Sequence, residues 1–193
     1  MGKFILCLNI VSILLEGKIK IRDLYTDLFQ KSMYSIGELW EINEISVARK
    51  RLATTITENM LNVTHPYLFT DTQSAKAAVI SCTANEYHQL GGNMVVDIFE
   101  LHGWDVHFLG ENTPVEELLT CIDKTKPDLI GLSLAIYSNL PALKATLEAI
   151  KSNYKGIDIL VGGNAFAWGD TEVMKKYAGT TYFKSLARLE VNI

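Results

Sequence analysis

The apolar pattern of the chain changes period near residues 70–74, where Thr-Asp-Thr-Gln-Ser interrupts it. Before that break the spacing is helical. Ile45, Ala48, Leu52, Ile56 and Met60 recur at three- and four-residue steps, which predicts one face of a helix. Ser46 is placed to cap that helix or to sit in its first turn. Leu24, Leu28, Tyr34 and Leu39 predict another helix or two upstream. His65-Pro66 is expected to close the region, because proline pushes the residue before it out of helical geometry. Residues 4–15 are apolar except for Asn9 and Ser12. That run is shorter than the ~18 residues needed to span a bilayer, and no small-residue cleavage pattern follows it. It is expected to be a buried helix.

After the break, short apolar runs stand at residues 77–80, 106–109, 129–134 and 157–161, with a shorter fifth at 181–183. Amphipathic stretches separate them at 94–101, 115–122, 140–150 and 173–177. Strands alternating with helices imply right-handed crossovers and a parallel sheet. Such a sheet is covered on both faces, so its strands are continuously apolar. The expected fold class is therefore α/β. A flavodoxin-like, doubly wound, five-stranded parallel sheet over residues 73–193 follows a small all-α helical bundle cap over residues 1–72.

Composition narrows the partners. The 193 residues are 48% hydrophobic and 21% charged, which suits a soluble chain with a sizeable core. Eighteen basic and 22 acidic residues give a net charge of −4, with no support for nucleic-acid binding. No membrane partner is expected either. Cys7, Cys82 and Cys121 are odd in number and widely spaced. That argues against a disulfide framework or zinc site and for a reducing, cytoplasmic location.

In an open parallel sheet, ligands bind beyond the carboxyl ends of the strands, where the strand order reverses. The loop after the first strand carries Glu86, His88, Gly91 and Gly92. A neutral imidazole is a common ligand of transition metals, and a nearby carboxylate can hold its second nitrogen. Two residues apart in an extended loop, Glu86 and His88 can lean the same way. The glycines allow close backbone approach at a helix start. The third strand ends in Ser133, with Ser138 and Asn139 beyond it, and the fourth ends in Gly162-Gly163. Taken singly, each of these is equally a histidine without a partner or an ordinary turn.

Together they have a recognisable order. Glu86-Tyr87-His88-Gln89-Leu90-Gly91, then Ser133, then Gly162-Gly163, resembles the signature of the cobalamin-binding domain family. That signature is Asp-x-His-x-x-Gly, a later serine and a later Gly-Gly. The resemblance implies that His88 is the lower axial ligand of cobalt, replacing the cofactor's own dimethylbenzimidazole. It implies that Glu86, standing for the usual Asp, hydrogen-bonds the imidazole, with one extra methylene to accommodate. Gly91 would admit the displaced nucleotide tail, Ser133 would contact its buried base, and Gly162 and Gly163 would line its tunnel.

The helical half extends the likeness. Ile36-Gly37-Glu38-Leu39-Trp40, Glu44-Ile45-Ser46-Val47-Ala48 and Leu52-Ala53-Thr54 resemble the helical cap of B12-dependent sensors. In such caps the tryptophan lies over the upper corrin face, a role that falls on Trp40. Light-sensing repressors follow that tryptophan with Glu-His, and the histidine can ligate cobalt from above. Here Lys50-Arg51 stand in that place, and neither a protonated lysine nor a guanidinium is a cobalt ligand.

Three functions are compatible with these features. The first is a sensor or regulatory module holding adenosyl- or methylcobalamin. No helix-turn-helix segment precedes the cap in this sequence, so its output is expected through a protein partner or homo-oligomer. The second is a corrinoid methyl carrier serving partner methyltransferases. Such carriers usually show Asp-x-His-Asp-x-Gly-Lys, whereas Gln89 and Gly92 replace the final Asp and Lys here. The third is a haem-binding sensor of the same fold. No activity is expected of the chain alone, since the hard chemistry belongs to the cofactor. A phosphoreceiver domain fits worse, because the third strand ends in Ser133 where an aspartate is required. So does a flavin site, for which Ser81 and Thr83 make a poor phosphate loop.

Overall fold

In the first half, four helices form: α1 (Gly2–Glu16), α2 (Ile21–Asp23), α3 (Lys31–Glu41) and α4 (Val47–Thr64). A π-helical stretch, Leu24–Gln30, joins α2 to α3. The fold comes from a computed structural model that describes residues 2–68, 74–167, 171–191 and 193. It divides into two compact units, Met1–Phe69 and Thr70–Ile193. Residues 70–73 of the sequence break lie outside the described residues.

The helical unit is held by a small core. Leu24, Tyr25 and Phe29 of the π stretch are buried beside Met60 and Leu61 of α4, and Tyr25 shares a 2.6 Å hydrogen bond with Thr64. Ser46 caps α4, its hydroxyl accepting from the Arg49 N–H. Three expectations are corrected here. Residues 4–15 are helical but not buried: Val11 and Leu15 are covered, while Leu6 and Ile13 are 60% and 67% exposed. An apolar surface that runs round a helix exceeds what so small a unit can cover. The stripe predicted from Ile45 to Met60 also fails at its start. Helix α4 begins at Val47, Leu52 is exposed, and the buried positions are Thr57, Met60, Leu61 and Thr64. Finally, His65 stays helical before Pro66, because the chain tightens into a 3-10 turn whose early position needs no proline N–H.

The second unit is a sheet of five parallel strands. They are β1 (Ala77–Cys82), β2 (Asp105–Phe108), β3 (Leu129–Ser133), β4 (Asp158–Gly162) and β5 (Thr180–Tyr182). Their spatial order, β2-β1-β3-β4-β5, is the predicted flavodoxin-like one. The order reverses between β1 and β3, so the loops after these two strands flank the switch point. The helices are α5 (Leu90–Leu101), α6 (Val115–Thr125), α7 (Leu140–Asn153) and α8 (Leu186–Glu190). The pattern anticipated the first three but not α8, a short helix capped by Ser185. The helix expected over 173–177 is a 3-10 stretch, Thr171–Lys176.

On one face of the sheet Val79, Ile130, Leu132 and Val161 pack against Leu118 of α6 and Leu143 of α7. Strand side chains alternate between faces, so Cys82, Ser133 and Gly162 lie on the other. They are in register: Cys82 pairs with Ser133, and Ser133 with Gly162. Gly163 just beyond has φ +120, and a Cβ there would collide with the Leu134 backbone. The chain therefore needs glycine at 163 to turn past β3. Replacing Gly163 with Ala is expected to destabilise the apoprotein by about 2 kcal/mol or more. Gly91, inside α5 with open space round its Cβ position, should behave oppositely. Gly91→Ala is expected to be neutral or stabilising by up to about 1 kcal/mol. Denaturant midpoints at equal m-value measure both.

Candidate functional site

The site is built on the loop between β1 and α5. Thr83 opens it, its N–H donating to the Ser133 carbonyl and its own carbonyl accepting from Glu86 N–H at 3.0 Å. Asn85 takes a positive φ of 64, which asparagine tolerates better than most residues. The turn buries Glu86 completely and leaves the His88 side chain 47% exposed.

Glu86 is then the hub of three loops. Its Oε1 accepts from His88 Nδ1 at 2.7 Å and from the His88 N–H at 3.1 Å. Its Oε2 accepts from the Ala135 and Ile136 N–H groups, both at 2.9 Å, and from Asn139 Nδ2 at 3.4 Å. Its carbonyl accepts from the Asn112 N–H beyond β2. Asn112 Oδ1 and Asn139 Nδ2 also bond the Asn85 backbone. The extra methylene of Glu over Asp is thus accommodated by reach, one oxygen serving the histidine and the other the β3 loop.

Electrostatics follow from this wiring. Burial pushes the Glu86 carboxyl up, but the bonds from the His88 ring and from the Ile136, His88 and Ala135 amides outweigh it. The net result is a value lowered from 4.5 to about 2. An ionised carboxylate only accepts, so Nδ1 carries the proton it donates to Glu86. In the neutral ring, the lone pair then sits on Nε2, the nitrogen free of Glu86. Burial, with help from the Glu86 charge, pushes the Cys82 thiol up to about 12, against the pull of the Ser133 hydrogen bond.

The sequence-predicted residues fall into two groups. Glu86, His88, Gly91, Ser133, Gly162 and Gly163 gather at the carboxyl edge of β1, β3 and β4. Gly91 lies inside α5, in open space, whereas Gly92 is the glycine pressed against Phe108 and Cys82. Trp40 belongs to the helical unit, where it is 38% exposed with Lys50 Nζ 3.8 Å above its ring. Sequence reasoning missed the Ala135 and Ile136 amides, which leave no mark in a sequence. It also missed the exposed Tyr87, Ile136 and Tyr137 beside the histidine loop. Apolar residues at the tip of a strand-ending loop are the signal that could have found them.

The arrangement suits a metal that brings most of its own ligands. Among the described residues no group of three or more His, Cys, Asp or Glu could hold an ion. A single oriented imidazole is what the edge offers.

Sequence models of the B12 binding domain match residues 76–184 and, for a second B12 binding domain, residues 5–64. Dimethylamine corrinoid protein 2 of Methanosarcina acetivorans is 22% identical over 144 residues, covering 72% of this chain and 67% of that protein. The HTH-type transcriptional repressor CarH of Myxococcus xanthus is 22% identical over 143 residues, covering 73% of this chain and 47% of the repressor. The monomethylamine corrinoid protein of Methanosarcina barkeri shares the fold, with TM-score 0.82 at 15% identity, over 95% of this chain and 87% of that one. The match spans 67%, 48% and 62% of the length of three dimethylamine corrinoid proteins and 47% of the repressor.

The depressed Glu86 value has a consequence for stability. A carboxyl lowered on folding contributes stability that is whole above pH ~4.5 and lost as the pH falls through about 2. Its size is on the order of 3 kcal/mol. Glu86→Gln apoprotein is expected to lose that much at neutral pH and to flatten the acid limb of the stability curve. Urea unfolding at a series of pH values would show it, and parallel curves for the two proteins would refute it.

Proposed function

The chain belongs to the B12-binding domain family as a corrinoid-binding protein, and we propose that it holds its corrinoid base-off and carries a methyl group between partner methyltransferases. His88 is the lower cobalt ligand in this proposal. The observation that carries it is the Glu86–His88 pair: a buried carboxylate bonds Nδ1 at 2.7 Å and leaves Nε2 at the sheet edge. Such a partner fixes ring orientation and raises ligand basicity. When bound, the corrinoid supplies a cobalt centre that accepts and releases a methyl group. The protein's own residues bind and orient. Ser133 and Gly162 would receive the displaced nucleotide along their face of the sheet, and the likeness to helical caps would give Trp40 a role in covering the bound corrinoid.

The carrier is preferred to the sensor because methylamine corrinoid proteins match over more of their length than the repressor does. The regulatory reading draws its support from CarH and from the helical unit. It is weakened by Lys50, which lies over the Trp40 ring and stands in the sequence where the light-sensing repressors have Glu-His.

Two measurements test this. In cobalt(II) protein loaded with cobinamide, which lacks a base of its own, a nitrogen superhyperfine splitting is expected. It should change on isotopic labelling of histidine nitrogen and vanish in His88→Ala. A splitting that survives His88→Ala removes the assignment. For the upper face, Trp40→Ala is expected to weaken adenosylcobalamin more than hydroxocobalamin, by about fivefold. Equal effects on the two would take Trp40 out of the site.

A further inference from the structure

The loop after β2 carries none of the residues singled out in the sequence, yet it grips the histidine loop. Strands β2 and β3 stand on either side of β1, so the loop that carries His88 is flanked by the loops of both neighbours. The β3 loop takes the Glu86 carboxylate, through the Ala135 and Ile136 amides. The β2 loop takes the main chain. The Asn112 N–H donates to the Glu86 carbonyl at 2.8 Å, and Asn112 Oδ1 accepts from the Asn85 N–H, also at 2.8 Å. One residue thus holds the chain on both sides of the Asn85–Glu86 peptide.

Asn112 stands on a firm base. The Cys82 N–H donates to the Gly110 carbonyl at 3.0 Å, which ties the β2 loop to the end of β1. Thr113, next in the chain, is buried, and its hydroxyl donates to the Gly110 carbonyl at 3.4 Å. Gly110 also lies close to the residue after the histidine: a Cβ there would stand 3.5 Å from Gln89 Oε1. The backbone restricts what can stand at 112. Its φ of 47 lies in the left-handed region, which Gly, Asn and Asp enter with least strain. Of these, only Asn and Asp bring an acceptor to the Asn85 N–H.

The geometry points to Asn112 as a positioning residue for His88, an inference that rests on the reading of His88 as the lower cobalt ligand. Glu86 aims the imidazole, but its reach is measured from its own main chain. A carboxylate fixed at one end by the β3 amides aims the ring correctly only if the backbone is fixed at the other. Asn112 supplies that second anchor. Order already present in the apoprotein is not lost again when a ligand binds.

Aquocobinamide has no base of its own, so its affinity includes the bond from His88 to cobalt. Binding is read by absorbance titration on proteins shown folded by circular dichroism. Asn112→Gly keeps the left-handed backbone and removes the acceptor. It is expected to weaken aquocobinamide about fivefold, the worth of one neutral hydrogen bond. Asn112→Asp keeps an acceptor of the same reach and should bind within about twofold of the wild type. In a His88→Ala background, Asn112→Gly should change the affinity by less than about 1.5-fold, because the residue it acts through is gone. A loop residue with a merely structural role gives the same loss with and without His88, and that result overturns the proposal. So does an Asn112→Gly protein that binds as the wild type does, or an Asn112→Asp protein that binds no better than Asn112→Gly. Should Asn112→Gly fail to fold, Asn112→Ala takes its place, since the comparison of the two backgrounds cancels the backbone strain it brings. The two readings fail differently. If His88→Ala leaves the aquocobinamide affinity unchanged, the lower ligand is lost and this role with it. If His88→Ala weakens binding and Asn112→Gly does not, this role alone is lost.

Discussion

A carboxylate placed where water does not reach must have its lone pairs filled by donors, and Glu86 meets that demand with groups from separate loops. The His88 ring and amide fill one oxygen, and the Ala135 and Ile136 amides with Asn139 fill the other. The solution joins the β1 loop to the β3 loop across the point where the strand order reverses. The direction of the imidazole is thereby inherited from the sheet. It is not left to a flexible loop, where a ligand would lose affinity to the entropy of ordering. Aspartate at 86 is one methylene shorter and would reach less far towards the β3 loop from the same backbone position. Histidine orientation and loop closure are therefore one interaction in this chain.

The second constraint is the register of the parallel strands. Cys82, Ser133 and Gly162 share a face because each is the last residue of its strand and the three strands pair without offset. The result is a line of small groups: a thiol, a hydroxyl and a bare backbone. The two glycines at the end of β4 then have different reasons to be glycine. Gly162 leaves that line open. Gly163 meets a demand of the fold, since its positive φ and its approach to Leu134 exclude any Cβ. Gly91 and Gly92 divide in the same way, with Gly92 required by packing and Gly91 free of it.

The helical unit shows how far apolar spacing can mislead in a small bundle. Helix α1 is apolar nearly all round, but only Val11 and Leu15 find partners. The first turns of α4 expose Val47 and Leu52 and present three consecutive cations, Arg49, Lys50 and Arg51. Lys50 settles over the Trp40 indole. A cation–π contact at a partly exposed site contributes ~0.5–1 kcal/mol, enough to bias the orientation of the ring. It also distinguishes this unit chemically from caps that offer an imidazole.

The sequence by itself determined the class of the fold. Continuous apolar runs separated by amphipathic stretches admit few arrangements other than a covered parallel sheet, and the five runs became the five strands within a few residues. It also determined the presence of the histidine loop, because side-chain chemistry at a strand end is written in single letters. The tertiary structure alone decided which groups those letters would meet. Two of the donors to Glu86 are backbone amides from residues about fifty positions away, and an amide is the same in every residue. The pairing of Cys82 with Ser133 depends on strand register, which no local period specifies. Burial in α1 and α4 was decided by how much apolar surface a small helical unit can cover, a quantity that belongs to the assembled unit and not to any one segment of it.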